Sequence, residues 1–474
     1  MHRLAVKLSR NSIITIKRMM SSSEPDVLFE TLNNAGVITL NRPKALNSLN
    51  TSMVSKLLPQ LQEWEKNKSL VIIKGAGEKA FCAGGDVKAA IDKVEGPNFF
   101  HTEFNVNYLI GKYKIPYIAF INGITMGGGL GLSVHGRYRI ATEKTVIAMP
   151  ETKIGLFPDV GGSYFLPRLQ VNLGLYLGLT GKWQVLFNLC RVWHIDTESP
   201  ICVYSIRYNS ECAWELHEII PPTPFFYRTF RHMTGYHPHL VRIPLIWTKR
   251  FKTSFIMCTV KDWNSLLVSV SSYNPNRFKL RVNRHLLGER LKGKDVVKAG
   301  IATHYVPSQR LYELEKLLSR CASDREINTL LSKFNEPFND FSLAPNIKHI
   351  NYCFAAGTIE EIIERLEKVN NDWSKKVLET LNNMCPGSLK ITLRALQRGA
   401  QLEMGQCLRM EYRLACRSIE GHDFPEGVRA LLIEKDNNPK WNPKSLSEVT
   451  DDYVESFFKK LPEDKELKLF DSKL

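Results

Sequence analysis

A chain of 474 residues, 43% apolar and 24% charged, has material for one large core with additions or for two to three average domains. No run of about 18 apolar residues occurs, which excludes an ordinary transmembrane helix, and the 10 scattered cysteines include no CxxC pair, as expected in a reducing compartment without a disulfide framework or zinc site. The net charge of +16 divides into +5 in the first 23 residues and +8 in residues 182–288, so only +3 remains for everything else and no nucleic-acid partner is expected.

In chain order, residues 1–23 carry Arg3, Lys7, Arg10, Lys17 and Arg18, no acidic residue, and apolar side chains interleaved as on an amphipathic helix. That is the composition of a mitochondrial presequence and predicts the mitochondrial matrix as destination. Residues 24–181 then repeat short strand, short strand, helix. Strands are predicted over 27–31 and 36–40 around Asn33, Asn34 and Ala35. A helix over 51–67 follows, with Val54, Leu57, Leu58, Leu61 and Trp64 on one stripe behind a Thr51/Ser52 cap. A buried-type strand at 70–74 leads to a first glycine turn, FCAGGDVK over 81–88. A helix over 99–112 precedes a strand at 117–121, which runs into a second glycine turn, ITMGGGLGL over 124–132, with helix from Gly128. Strands at 138–141 and 146–149 lead to Glu151. Such repetition implies stacked turns around a shared core, not a doubly wound sheet.

Residues 182–288 break the style. They hold one alanine, Ala213, yet five of the eight tryptophans and six of the 12 histidines, with no sustained period. Thr180-Gly181 before the segment and Arg290 onward after it read as natural neighbours, and closing so long a loop costs only about 4 kcal/mol. The segment is expected to be a poorly ordered insertion of the kind that retained non-coding sequence would give, and not a functional module. His232, His237 and His239 within it lack partners at ligand spacing, so no metal site is expected. Ordinary composition returns over 289–385, the second part of the core, with a helix at 296–299, a strand at 301–306 and an amphipathic helix at 360–369. Residues 386–474 form a helical C-terminal region with stripes at 388–398 and 408–418 and a turn feeding a helix over 421–433.

The chemistry concentrates in residues 81–162. Glycine lets backbone N–H groups approach a substrate, and two converging N–H donors stabilise the oxyanion formed when a thioester carbonyl is attacked. Around Gly127, Gly128 and Gly129 the donors would also sit at a helix N-terminus. Neither turn is followed by Gly-Lys-Ser/Thr and neither has GxGxxG spacing, which excludes a Walker loop and a dinucleotide fingerprint. Glu151, after a strand in MPETKIG, and Asp159, in LFPDVGG, supply carboxylates that can attack an acyl carbon or activate water.

NRPKALNSL over 41–49, FCAGGD over 81–86, Met126 to Gly129 and Pro150-Glu151 together resemble the crotonase (enoyl-CoA hydratase/isomerase) superfamily. LFPDVGG over 156–162, SLKITLR over 388–394, HDFPEGVR over 422–429 and NPKW over 438–441 narrow the resemblance to its hydroxyacyl-CoA hydrolases, over about 26–181 and 289–474. The resemblance implies an α/β fold, a crotonase-like spiral of ββα units with a helical C-terminal region. It implies cleavage of 3-hydroxyisobutyryl-CoA to the free acid and CoA in valine breakdown, with no metal or redox cofactor and coenzyme A only as part of the substrate.

By the same resemblance, Gly85 and Gly128 would form the oxyanion hole and Glu151 would be the catalytic carboxylate. Asp159 would contact the substrate hydroxyl and Glu103 would line the acyl pocket, although an exposed helical position is its other reading. Lys44, Ala45 and Leu46 would lie along the coenzyme A nucleotide, and Ser163 stands where a third glycine is usual. Hydratases of the superfamily carry a second glutamate two residues beyond the glycine triplet, where this chain has Gly131, so syn-hydration is disfavoured. The rival readings are an enoyl-CoA hydratase or isomerase, and a structural protein of the mitochondrial ribosome on the same fold.

Overall fold

The computed structural model describes residues 25–181 and 291–470. The presequence, the insertion and its histidines lie outside the described residues. The strands are β1 (Val27–Leu32), β2 (Ala35–Leu40), β3 (Leu70–Gly75), β4 (Ala80–Cys82), β5 (Tyr117–Ile121), β6 (Ile124–Met126), β7 (Tyr138–Ala141), β8 (Val146–Ala148), β9 (Leu291–Lys292) and β10 (His304–Tyr305). They form a six-stranded sheet in the order β1-β2-β3-β5-β7-β10 and a four-stranded sheet in the order β4-β6-β8-β9. Pairing is parallel except at the β1–β2 hairpin and between β8 and β9.

Each circuit of the chain lays one strand in each sheet: β3 then β4, β5 then β6, β7 then β8. Parallel neighbours require a crossover, and between β4 and β5 it is the helix Glu95–Gly111. The result is the expected crotonase-like ββα spiral.

The large sheet is apolar on both faces because both are covered. Leu70, Ile72, Ile118 and Phe120 meet Leu314, Leu318, Ile327 and Leu331, while Val71, Ile73 and Ala119 join the main core with Leu57, Leu61 and Phe104. Successive strand residues thus belong to different cores, which is why β3 and β5 read as continuous apolar runs instead of alternating ones.

Local chemistry moves several boundaries. The helix Thr51–Asn67 is capped by Asn50, not by Thr51 or Ser52: the extended Asn50 accepts a bond from the Met53 N–H at 2.8 Å. The helix expected from 99 begins at Glu95, because Asp92 accepts the Val94 and Glu95 N–H groups at 2.8 and 2.9 Å. The strand expected over 301–306 shrinks to β10, because the Ile301 and Ala302 amides turn back to the Val296 carbonyl.

Helices Pro386–Gly399 and Met404–Glu420 dominate the C-terminal region and pack onto the first half, the latter along the helix Glu95–Gly111. Gly181 lies behind Met149, and Leu291 pairs with Ile147, so both described flanks meet β8 and the turn after it. Among the described residues no helix is long and apolar enough to cross a membrane. Replacing Asn50 with alanine should cost about 1 kcal/mol of stability, whereas Thr51→Ala should stay within about 0.5 kcal/mol; denaturant unfolding of the two variants checks the reassigned cap.

Candidate active site

Three short strands of the small sheet place the reactive groups. Because β4, β6 and β8 run parallel, the turns leaving their C-terminal ends emerge on the same side. These turns carry Gly84 and Gly85, then Gly127 to Gly129, then Glu151, which opens a short 3-10 helix, Glu151–Ile154.

Gly127 has φ 43° and precedes the short helix Gly128–Gly131, and Gly84 has φ 103°, so the left-handed region requires glycine at both. Neither the Gly85 nor the Gly128 N–H bonds an acceptor among the described residues. A Cβ on Gly128 would lie 3.3 Å from the Gly85 nitrogen and 2.5 Å from Glu103 Oε1, and one on Gly127 would lie 2.7 Å from Glu151 Oε1. The two free N–H groups and two carboxylates therefore converge on one spot.

Glu103 is 1% exposed, Glu151 6% and Asp159 5%, which settles Glu103 as a buried residue and not a surface one. Burial, and then the charge of Asp159, raise the Glu103 and Glu151 carboxyls well above the usual range. Burial, and then the charge of Glu411, push Asp159 up to about 8. Among the described residues Glu103 Oε1 and Glu151 Oε2 have no hydrogen-bond partner, which leaves both to a ligand. Near neutral pH the cluster retains protons, giving it both donor and acceptor carboxyl groups.

The expected coenzyme A segment lies beside the first glycine turn. Pro43–Ala45 is a single 3-10 turn with Lys44 exposed and Ala45 and Leu46 half-buried. It is stitched to the glycine turn by Ala83 N–H to Leu46 O at 3.0 Å, Leu49 N–H to Gly84 O at 2.8 Å and Asp86 N–H to Leu49 O at 2.7 Å. Asn47 secures it from below by donating to Ala76 O and Ala80 O.

The C-terminal region supports the Glu151 turn. Cys385 N–H donates to Thr152 O at 3.1 Å. A Cβ on Gly155 would meet Asp423 O at 2.2 Å, and one on Gly427 would meet Ile154 O at 2.3 Å. The HDFPEGVR motif thus presses directly on the turn that bears Glu151.

Three polar residues, Glu411 and Asn107 buried and His135 half-buried, were missed in the sequence. Glu411 accepts hydrogen bonds from the Gly161 N–H, the Ser163 N–H and the Ser163 hydroxyl at 2.7, 2.8 and 2.5 Å. His135 donates from Nε2 to Val160 O at 2.7 Å. Asn107 is fully buried beside Gly131, and neither amide atom has a partner among the described residues. For Glu411 a signal existed: it stands between Leu408 and Ala415 on the stripe of the 408–418 helix, a carboxylate where packing calls for an apolar residue. Gly131 itself is closed in, since a Cβ there would lie 2.7 Å from Val160 Cβ and 2.8 Å from Asn107 Nδ2.

A ββα spiral with two glycine turns offering free N–H groups to a carboxylate cluster defines a protein of the crotonase fold. The chain belongs to the enoyl-CoA hydratase/isomerase family, whose model matches residues 35–184 and 272–458. It is 38% identical over 465 residues to a Danio rerio protein named 3-hydroxyisobutyryl-CoA hydrolase, mitochondrial, covering 95% of this chain and 94% of that one. The Homo sapiens protein of the same name is 37% identical, with 95% and 93% covered. Among solved structures, a carnitinyl-CoA dehydratase from Mycobacterium thermoresistibile superposes with a TM-score of 0.67 at 28% identity, covering 94% of this chain and 99% of that one.

The raised Asp159 carboxyl has a consequence for stability. Its contribution is fully present below the unfolded value of about 4 and is lost as pH rises through about 8. Asp159→Asn should therefore gain in melting temperature relative to the parent as pH increases from 5 to 9, as scanning calorimetry across that range would record.

Proposed function

We propose that this chain hydrolyses 3-hydroxyisobutyryl-CoA to 3-hydroxyisobutyrate and CoA in the mitochondrial matrix. The observation that carries the reading is the pair of unused N–H groups on Gly85 and Gly128 facing Glu151, with Asp159 close by and the Gly131 position closed to a side chain. The names of relatives aligned along nearly the whole chain support the same substrate.

In this reading the thioester carbonyl oxygen lies against Gly85 N–H and Gly128 N–H. The Glu151 carboxylate attacks the acyl carbon, giving a mixed anhydride that water opens, or takes a proton from water as it adds. In both forms the carbon–sulfur bond breaks as the tetrahedral oxyanion collapses, and the acid and the thiol are the products. Thiolate leaves readily, its conjugate acid having a pKa of about 8.5, so the reaction requires no metal or redox cofactor, and coenzyme A enters only as part of the substrate.

Asp159 receives the substrate hydroxyl, Glu103 lines the acyl end, and Lys44, Ala45 and Leu46 border the nucleotide. A site built to hydrogen-bond a hydroxyl can reject the analogue lacking it by about 10⁴-fold. Hydration of a double bond is disfavoured, because a second glutamate at 131 would collide with Val160 and Asn107.

Thiol release from 3-hydroxyisobutyryl-CoA tests the proposal; a correctly folded parent chain that releases no CoA from this or any other 3-hydroxyacyl-CoA would sink it. Glu151→Gln should lower kcat by about 10²- to 10⁴-fold, and neither protein should change the absorbance of a crotonyl thioester. Because Glu151 must be ionised and its carboxyl is raised, activity should fall toward acid from well above the ordinary carboxylate range. Asp159→Asn should move that acid limb to lower pH by removing a neighbouring charge, and a pH–rate profile of the two proteins shows the direction.

A further inference from the structure

The turn that carries Asp159 is held in place from outside. Val160, a β-branched residue, sits at φ 51° in the left-handed region, and Gly161 follows at φ 84°. Nothing within the turn compensates for this beyond the Gly162 N–H bond to Asp159 O at 2.7 Å. Two residues distant in sequence do so instead. Glu411, fully buried in the middle of Met404–Glu420, takes three hydrogen bonds from Gly161 and Ser163, and His135 donates to Val160 O from the other side. A Cβ on Gly161 would lie 2.5 Å from the His135 ring, so the turn is enclosed as well as bonded.

We propose that Glu411 is a positioning residue for the thioester hydrolysis: by gripping the Gly161 and Ser163 amides it fixes where the Asp159 carboxyl stands relative to Glu151 and the substrate hydroxyl. The inference rests on the functional reading given above and adds a residue that never touches the substrate. Its geometry makes it a clamp, since both carboxylate oxygens are used on successive segments of one turn.

The clamp also carries a charge, and its surroundings leave that charge facing Asp159. From its own helix the titratable neighbour is Cys407 and from the turn it is Asp159, while His135 bonds the far side of the same turn at Val160 O. Burial holds His135 down to about 4, so it donates as a neutral ring. Arg168 spends its guanidinium on the carbonyls of Tyr164, Gly399 and Leu402. The Glu411 carboxyl itself is raised by burial to about 7, with its three hydrogen bonds pulling the other way. When ionised it makes Asp159 hold its proton more tightly, so removing it should release that proton at lower pH.

The test uses the full chain with Glu411→Gln, which keeps the shape but loses the charge and the acceptor pair. Expected is a fall in kcat of about 10- to 100-fold with KM within about threefold of the parent, and an acid limb displaced to higher pH, because an Asp159 that ionises earlier raises the Glu151 carboxyl further. Infrared titration of the Asp159 carboxyl band, assigned by difference against Asp159→Asn, should show the midpoint of Asp159 displaced to lower pH, without reference to turnover. A folded Glu411→Gln protein with parental kcat, acid limb and infrared midpoint overturns the proposal. So does one in which kcat falls but limb and midpoint stay, which would mark a merely structural role. Should Glu411→Gln fail to melt cooperatively, Ser163→Ala decides: loss of one bond with the charge retained should lower kcat several-fold and leave the limb unmoved, and a parental kcat overturns the clamp. A parent chain inactive on every hydroxyacyl-CoA refutes the assigned reaction instead, while the infrared midpoint still reads the clamp.

Discussion

Parallel pairing of β4, β6 and β8 is the constraint from which the site follows. Each strand is three residues long, and a parallel arrangement makes all three end on the same edge. Ligand-binding groups in parallel sheets gather at the carboxyl ends of strands for this reason. Here the first two ends deliver backbone N–H groups and the third delivers a carboxylate. An antiparallel β6 would send Gly128 to the opposite edge from Gly85. The large sheet keeps the small one in register, because every small-sheet strand from β4 to β8 is joined by a short loop to a buried strand of the larger sheet.

The same architecture decides the electrostatics. Glu103, Glu151, Asp159 and Glu411 share a region nearly closed to solvent, and burial is the first cause of every upward shift among them. Four anions in low dielectric would be prohibitively costly, so the cluster shares protons. A group ready to accept a proton and a group ready to give one then stand within the same few residues. The C-terminal half is therefore part of the site despite its different texture. It contributes Glu411 under one carboxylate and the Cys385 and Asp423 backbone under the other.

Much of this was legible in the sequence where the signal is local. The helix Thr51–Asn67 and the strands Tyr117–Ile121 and Tyr138–Ala141 stand where their apolar spacing placed them. The glycine turns announced themselves because positive φ leaves few alternatives. The cap at Asn50 was misread because Asn, Thr and Ser stand in succession, and only the extended backbone of Asn50 tells which one precedes the helix. The 301–306 strand was overextended because an apolar run does not show that two of its amides close the preceding helix. Glu411 and His135 escaped for a different reason. Glu411 lies about 250 residues from the turn it holds, and no period in a linear chain encodes a contact across that separation.

The crowding at Gly131 also limits what the site can be turned into. The difference between adding water to a double bond and cleaving a thioester is often pictured as the presence or absence of one acidic side chain. In this molecule that side chain could not simply be introduced, because its first carbon would lie 2.7 Å from Val160 Cβ and 2.8 Å from the Asn107 amide nitrogen. Val160 is in turn held by the carbonyl bond to His135 and by the turn that Glu411 grips. Installing a glutamate at position 131 would require altering its two neighbours and the support beneath them together. Packing, and not catalysis alone, therefore holds position 131 to glycine in this chain.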